Sequence, residues 1–343
     1  MIEAVGLRKV YGKKVAVHDL SFTVRPGIVT GFLGPNGSGK STTMRMVLGL
    51  DRPTAGHVLV DGRPFAEHRA PLSAIGALLD AKAVHTGRSA LNHLRAMAAT
   101  AGIPRRRVDE VIDLVGLREV ASKRAGGFSL GMGQRLGIAS ALLGDPSTVM
   151  FDEPVNGLDP DGILWIRNLM KDLAAQGRAV FVSSHLMSEM ALTAHHLVVI
   201  GRGRLIADES VQSFVDRVQP RGVVVRSPQV EELTELVRAA GGTLRPLEDG
   251  SFDVRELSAE RIGDAAAARG VALHELTTVK ASLEDAFMEL TAGALEYQAH
   301  APGTGLTTGP GTGPTTGPAD GSAAVPPPVS AERARPVAEE VSR

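Results

Sequence analysis

Apolar positions along the chain change their spacing several times, and each change marks an element. Residues 1–30 read as short strands joined by turns, in "IEAVGLRKV" and "LSFTVRPG". From residue 28 the pattern shifts. "IVTGFLG" is a buried-strand run, and "STTMRMVLGL" places Met44, Val47 and Leu48 at helical spacing. "STVMFDEP" and "RAVFVSSH" are further buried strands, and "HLVVIGRGRLIADES" reads as a strand pair. Helical stretches at 162–175 and 186–194 lie between them. Strands alternating with helices predict an α/β layer with a mostly parallel sheet. Residues 88–145 contain no comparable strand and read as a helical insert.

Residues 222–291 predict a second unit. The order is strand "GVVVRS", helix "QVEELTELVRAA", strand pair "GTLRPL" and "SFDVREL", helix "AERIGDAAAARG" and strand "VALHELTT". That order is β-α-β-β-α-β, the split βαβ arrangement. "SLEDAFMEL" closes it as a helix. Beyond about residue 298 the chain is Gly, Thr and Pro with little to bury, which predicts a disordered tail over 298–343.

Composition narrows the function classes. The chain has 343 residues, 43% of them apolar and 22% charged, with net charge −1 and no cysteine. Length suggests about two domains. Near-neutral charge gives no electrostatic footprint for nucleic acid, and one Trp with two Tyr offers little base-stacking surface. Thiolate metal sites and disulfides are excluded. "MIEAVGLRKV" lacks the apolar core of a signal peptide, and runs such as "LVVI" are too short to cross a bilayer.

The stretch "GFLGPNGSGKSTTM" carries the sharpest chemistry. Gly34, Gly39, Lys40 and Ser41 fit G-x-x-x-x-G-K-[ST] between a strand and a helix. With Pro35, Asn36, Gly37, Ser38 and Thr42 they predict a triphosphate cradle of backbone N–H groups at a helix N-terminus. Lys40 would reach the β- and γ-phosphates, and Ser41 would hold Mg²⁺. "VMFDEP" sets Asp152 and Glu153 at a strand's carboxyl end, where ligand crevices open. Asp152 would hold Mg²⁺, and Glu153 would polarise the attacking water as general base.

"FSLGMGQRLGIASALLGDP" makes a resemblance specific: the chain resembles the ATP-binding subunit of an ABC transporter. Phe128-Ser129-Leu130-Gly131-Met132, then Gln134-Arg135, is similar to the LSGGQ signature, with Leu for the first glycine and Met for the glutamine. The resemblance implies that Ser129 and Gly131 touch the γ-phosphate of ATP held by the other subunit. Ser129 also reads as an ordinary helix N-cap; both readings can hold together. The resemblance further implies a D-loop Asp159 at the subunit boundary, a switch histidine at His185 and an adenine-stacking Tyr11. Asp80 stands where the family usually has glutamine, beside Mg²⁺ and with a coupling role.

The implied fold is a P-loop NTPase cassette over 1–215: a mostly parallel sheet, N-terminal antiparallel strands and the helical insert. An α+β accessory domain at 216–297 resembles the appendage of the daunorubicin-resistance-like exporters. The implied function is ATP hydrolysis by an exporter subunit, with ATP and Mg²⁺ as cofactors. Its implied partners are a second copy of itself and an integral-membrane permease, at the cytoplasmic face of the plasma membrane. The rival is a soluble ABC-type ATPase acting as a regulator or resistance factor; a single cassette without sustained heptads or a basic surface argues against it.

Overall fold

The computed structural model describes residues 1–80, 83–218, 222–279 and 281–291; the tail expected over 298–343 lies outside them. In chain order the elements begin with β1 (Ile2–Tyr11), β2 (Lys14–Val24), β3 (Val29–Leu33), α1 (Lys40–Val47), β4 (Ala55–Val60), α2 (Pro71–Ala74) and β5 (Ile75–Leu78). There follow α3 (Ala90–Thr100), α4 (Arg105–Leu114), α5 (Leu130–Leu142), β6 (Thr148–Asp152), α6 (Pro160–Ala175), β7 (Ala179–Ser184), α7 (Met187–Thr193), β8 (His196–Gly201), β9 (Arg204–Ser210) and α8 (Val211–Asp216). The last are β10 (Gly222–Arg226), α9 (Val230–Ala239), β11 (Thr243–Pro246), β12 (Phe252–Arg255), α10 (Ala259–Arg269), β13 (Glu275–Val279) and α11 (Leu283–Thr291).

Among the described residues these strands form three sheets. The largest has the order β5-β6-β7-β3-β8-β9 and is parallel except for β9, which runs antiparallel to β8. Strands β3 and β7 are buried along their whole length, as parallel strands covered on both faces must be. A three-stranded antiparallel sheet, β2-β1-β4, lies over one face. Phe22 of β2 stacks on Phe32 and Phe181 of the large sheet with ring centroids 5.6 Å away, joining the two sheets through one aromatic cluster. The opposite face is covered by α3 to α8, which share a second core with it.

The N-terminal strands are longer than the short pieces expected for residues 1–30. β1 and β2 span ten and eleven residues, and their pairing has register irregularities at Ala4/Leu7, Leu7/Lys9 and Lys9/Val10. Each irregularity resets the period-two alternation, so one long hairpin reads in the sequence as fragments. Strands β4 and β5 are not announced by the pattern at all. β4 is an edge strand in which Gly56, at φ +77°, lets its backbone approach β1; a Cβ there would lie 2.2 Å from the Gly6 carbonyl oxygen. β5 has only four residues.

Residues 222–279 form the third sheet, order β11-β12-β10-β13, entirely antiparallel, with α9 and α10 packed on a small apolar core of their own. β12 inserts between β10 and β11, which is the split βαβ topology. Helix α11 does not belong to that core. It packs on α7 and α8, and its Leu283, Ala286 and Phe287 enter the core beneath the large sheet.

Candidate active site

The carboxyl ends of β3, β6 and β7 open on one edge of the large sheet, beside the start of α1. A cavity of about 440 Å³ lies there, lined by Tyr11, Asn36, Gly37, Gly39, Lys40, Ser41, Thr42, Leu79, Asp152 and Glu153, with Lys14 and Ala16. Sequence-distant residues are thus gathered by the parallel register: β3 supplies the glycine-rich loop, β6 the two acids.

Glycine is needed in that loop for space as well as for backbone freedom. A Cβ on Gly34 would fall 2.4 Å from the Ile200 carbonyl oxygen and 2.5 Å from Ser38 Oγ. Gly39, at φ +106°, caps α1, and a Cβ there would lie 2.6 Å from the Ala16 carbonyl oxygen. Ser38 Oγ is buried against Gly34 and, among the described residues, has no hydrogen-bond partner; Ser38 does not line the cavity. Lys40 is 7% exposed and donates from Nζ to the carbonyl oxygens of Gly34 at 2.7 Å and Pro35 at 3.4 Å. Burial holds its ammonium below the ordinary lysine range, while the Glu153 and Asp152 carboxylates pull the other way.

The acids are tied to their neighbours. Ser41 Oγ donates to Asp152 Oδ2 at 2.8 Å, and Ser183 Oγ donates to Asp152 Oδ1. The Glu153 carboxylate accepts from His185 Nδ1 at 2.6 Å through Oε2. Glu153 itself has φ +52°, a left-handed conformation uncommon outside glycine.

Tyr11 ends β1 at the cavity wall, 47% exposed. Its hydroxyl donates to Asp51 Oδ2 at 2.9 Å, the oxygen that also accepts from Arg45 Nε at 2.7 Å. Lys9 Nζ lies 4.9 Å from its ring centroid. The hydrogen bond from Arg45 keeps the Asp51 carboxyl below its usual range. The ring is therefore held at its rim and available as a stacking surface.

Other expected site residues lie away from this cavity. Ser129 caps α5, accepting from Met132 N–H at 3.2 Å, and Gly131 follows it; neither lines the cavity. Their turn packs on the 156–159 loop: a Cβ on Gly157 would lie 2.2 Å from Leu130 Cδ2. Asp159 caps α6, accepting from Gly162 N–H at 3.0 Å, and is likewise outside the cavity. Asp80 is exposed just after β5, one residue past Leu79, which does line it.

Two residues given no role from the sequence touch the centre: Ser183 on Asp152, and Gln134, whose Nε2 donates to the Glu153 carbonyl at 3.3 Å. The available signal for Ser183 was a serine pair, Ser183-Ser184, ending an apolar buried strand.

Comparison with known proteins bears on the family and the fold. The ABC transporter family model matches residues 17–156, and a domain of unknown function matches 221–284. The uncharacterized ABC transporter ATP-binding protein YhcH of Bacillus subtilis is 34% identical over 313 residues, covering 88% of this chain and 99% of that one. The bacitracin transport ATP-binding protein BcrA of Bacillus licheniformis is 40% identical over 211 residues, 61% of this chain and 69% of that one. Among solved structures, the ATP-binding cassette MJ0796 bound to ADP and Pi has a TM-score of 0.57 at 23% identity, covering 61% of this chain and 98% of that one. With the phosphate loop, paired acids and cassette fold in place, the chain belongs to the ATP-binding proteins of ABC transporters and is an ATPase of transport.

Proposed function

We propose that this ATPase drives an exporter. Two copies close head to tail on two ATP molecules, and a separate integral-membrane permease turns closure into substrate movement. The observation that carries this reading is a division within one chain. The phosphate loop, Asp152 and Glu153 line one cavity, while Ser129 and Gly131 lie outside it. Their capped helix start is suited to an anion, and a second chain's nucleotide would supply one.

The triphosphate would sit on residues 34–41, with Lys40 reaching its phosphates and Tyr11 against adenine. Ser41 and Asp152 offer oxygen donors 2.8 Å apart. Among the described residues no group of three or more His, Asp or Glu gathers to cage a metal. Two protein oxygens suit Mg²⁺, which keeps waters and phosphate oxygens as its other ligands. Held there, Mg²⁺ supplies neutralisation of phosphate charge.

Glu153, oriented by His185, accepts a proton from the attacking water. The water oxygen bonds to the γ-phosphorus as the bond to the β–γ bridging oxygen breaks, giving ADP and Pi. Departure of Pi removes the anion that both chains grip, and the dimer opens. Asp159, at the head of α6, lies at the boundary between copies, and Asp80 couples the site to the permease.

Among the described residues no helix is long and apolar enough to cross a membrane, which supports a partner supplying the spans at the cytoplasmic face. Export in the name of the Nod factor export ATP-binding protein I of Rhizobium, 31% identical over 303 residues, supports export as the direction. We assign 1–215 to the cassette, on which α11 docks, and 222–279 to an accessory domain like that of the daunorubicin-resistance-like exporters. Replacing Glu153→Gln tests the reading. The variant binds ATP, stops turnover and sediments as an ATP-dependent dimer; wild-type turnover, or monomer alone with ATP, contradicts it.

A further inference from the structure

The two peptide units that flank Glu153 are each held by a buried side chain. Ser183 is fully buried in β7 and pairs in register with Asp152 of β6. Its hydroxyl donates to Asp152 Oδ1 and accepts from the Glu153 backbone N–H at 3.0 Å. Gln134, 4% exposed on α5, donates to the Glu153 carbonyl oxygen at 3.3 Å. The residue between these contacts is the one at φ +52°. A left-handed non-glycine residue persists only when its surroundings over-determine it.

We propose that Ser183 and Gln134 are positioning residues for hydrolysis, Ser183 holding the peptide unit before Glu153 and Gln134 the one after it, with Ser183 also setting the rotation of Asp152. The inference rests on the assignment above of Glu153 as base and Asp152 as metal-side carboxylate. With Oδ1 engaged by Ser183, it is Oδ2 that faces Ser41. Without that hydroxyl the carboxylate is free to turn, and the Glu153 N–H keeps only the Ser183 carbonyl at 3.3 Å. The Glu153 side chain then loses its alignment with His185. Gln134 brings in the helix that begins at Ser129, so a shift of α5 is felt at the Glu153 carbonyl.

The test uses the full chain with Ser183→Ala, Ser183→Thr, Gln134→Ala and Glu153→Gln. Turnover, KM for ATP and half-saturating Mg²⁺ are measured. The rise in melting temperature on adding ATP is measured with and without Mg²⁺. Ser183→Ala should lower kcat by about 10–100-fold, the usual cost of removing a group that orients a ligand, with little change in KM. It should also raise the Mg²⁺ requirement and shrink the Mg²⁺-dependent part of the melting shift. Ser183→Thr, which keeps the hydroxyl, restores most of the rate. Gln134→Ala lowers kcat without altering the Mg²⁺ requirement, because it touches the peptide and not the carboxylate. Wild-type kcat and Mg²⁺ requirement in Ser183→Ala, with Glu153→Gln inactive, overturn the inference. Wild-type turnover by Glu153→Gln overturns the base assignment beneath it instead. If Ser183→Ala does not fold, Ser183→Cys, close in shape with a weak donor, carries the same expectation, and wild-type kinetics there overturn the inference.

Discussion

His185 Nδ1 lies 2.6 Å from Glu153 Oε2, and the His185 backbone N–H approaches the same oxygen at 3.4 Å. A carboxylate only accepts, so Nδ1 is the protonated nitrogen of this pair. One carboxylate is thereby oriented by both the ring and the main chain of a residue on the neighbouring strand end. His185→Ala should cut kcat by about 10–100-fold and leave equilibrium ATP affinity nearly unchanged. Steady-state turnover beside nucleotide titration checks this; an equal loss in both would make His185 a binding residue.

Lys40 gives a prediction about pH. Burial lowers its folded-state pKa below the ordinary 10.5, so between those values the unfolded chain binds the extra proton. Stability then rises with pH across that window, because deprotonation relieves the burial of charge; below the folded pKa the penalty stands in full. Lys40→Met removes the titrating group. In nucleotide-free buffer the stability of wild type relative to Lys40→Met should therefore increase as pH climbs toward 10.5, by at most about 1.4 kcal/mol per pH unit. Urea denaturation of both proteins across that range measures it. A difference that falls with pH would mean that the native site favours the ammonium. The same variant should lose the melting shift that wild type gains from ATP.

Helix α11 is a structural part of the cassette core. Phe287 is 6% exposed there, while Met288 beside it is 55% exposed. Phe287→Ala should cost about 3–5 kcal/mol in urea denaturation, and Met288→Ala less than about 0.5 kcal/mol. Similar small losses in both would detach α11 from the core and leave α7, the helix after His185, without this support.

The phosphate loop, Asp152 and Glu153 were read from residue type and local spacing and His185 only through the resemblance; the structure brings Lys40, Ser41, Asp152 and Glu153 to one cavity and His185 against Glu153. Glycine at 34 and 39 answers to backbone crowding, and a carboxylate pair ending an apolar strand downstream of a phosphate loop points to metal and water chemistry. The contacts that orient them were not legible. Ser183 meets Asp152 across 31 positions and Asp51 meets Tyr11 across 40, and no local pattern encodes either distance. The β-α-β-β-α-β order of 222–279 followed from alternating apolar periods. The docking of α11 did not, since an amphipathic helix names a face and not the surface that receives it.

Joint grip of one nucleotide by two chains can be read by cross-linking. Because the chain has no cysteine, single thiols can report on it. Asn36→Cys and Ser129→Cys, each made in the Glu153→Gln background, are mixed, exposed to mild oxidant and analysed for disulfide-linked dimer. Linked dimer is expected in the mixture with Mg²⁺ and ATP, with little without nucleotide and little from either variant alone. Linkage that ignores nucleotide, or none when ATP is bound, would contradict the joint grip.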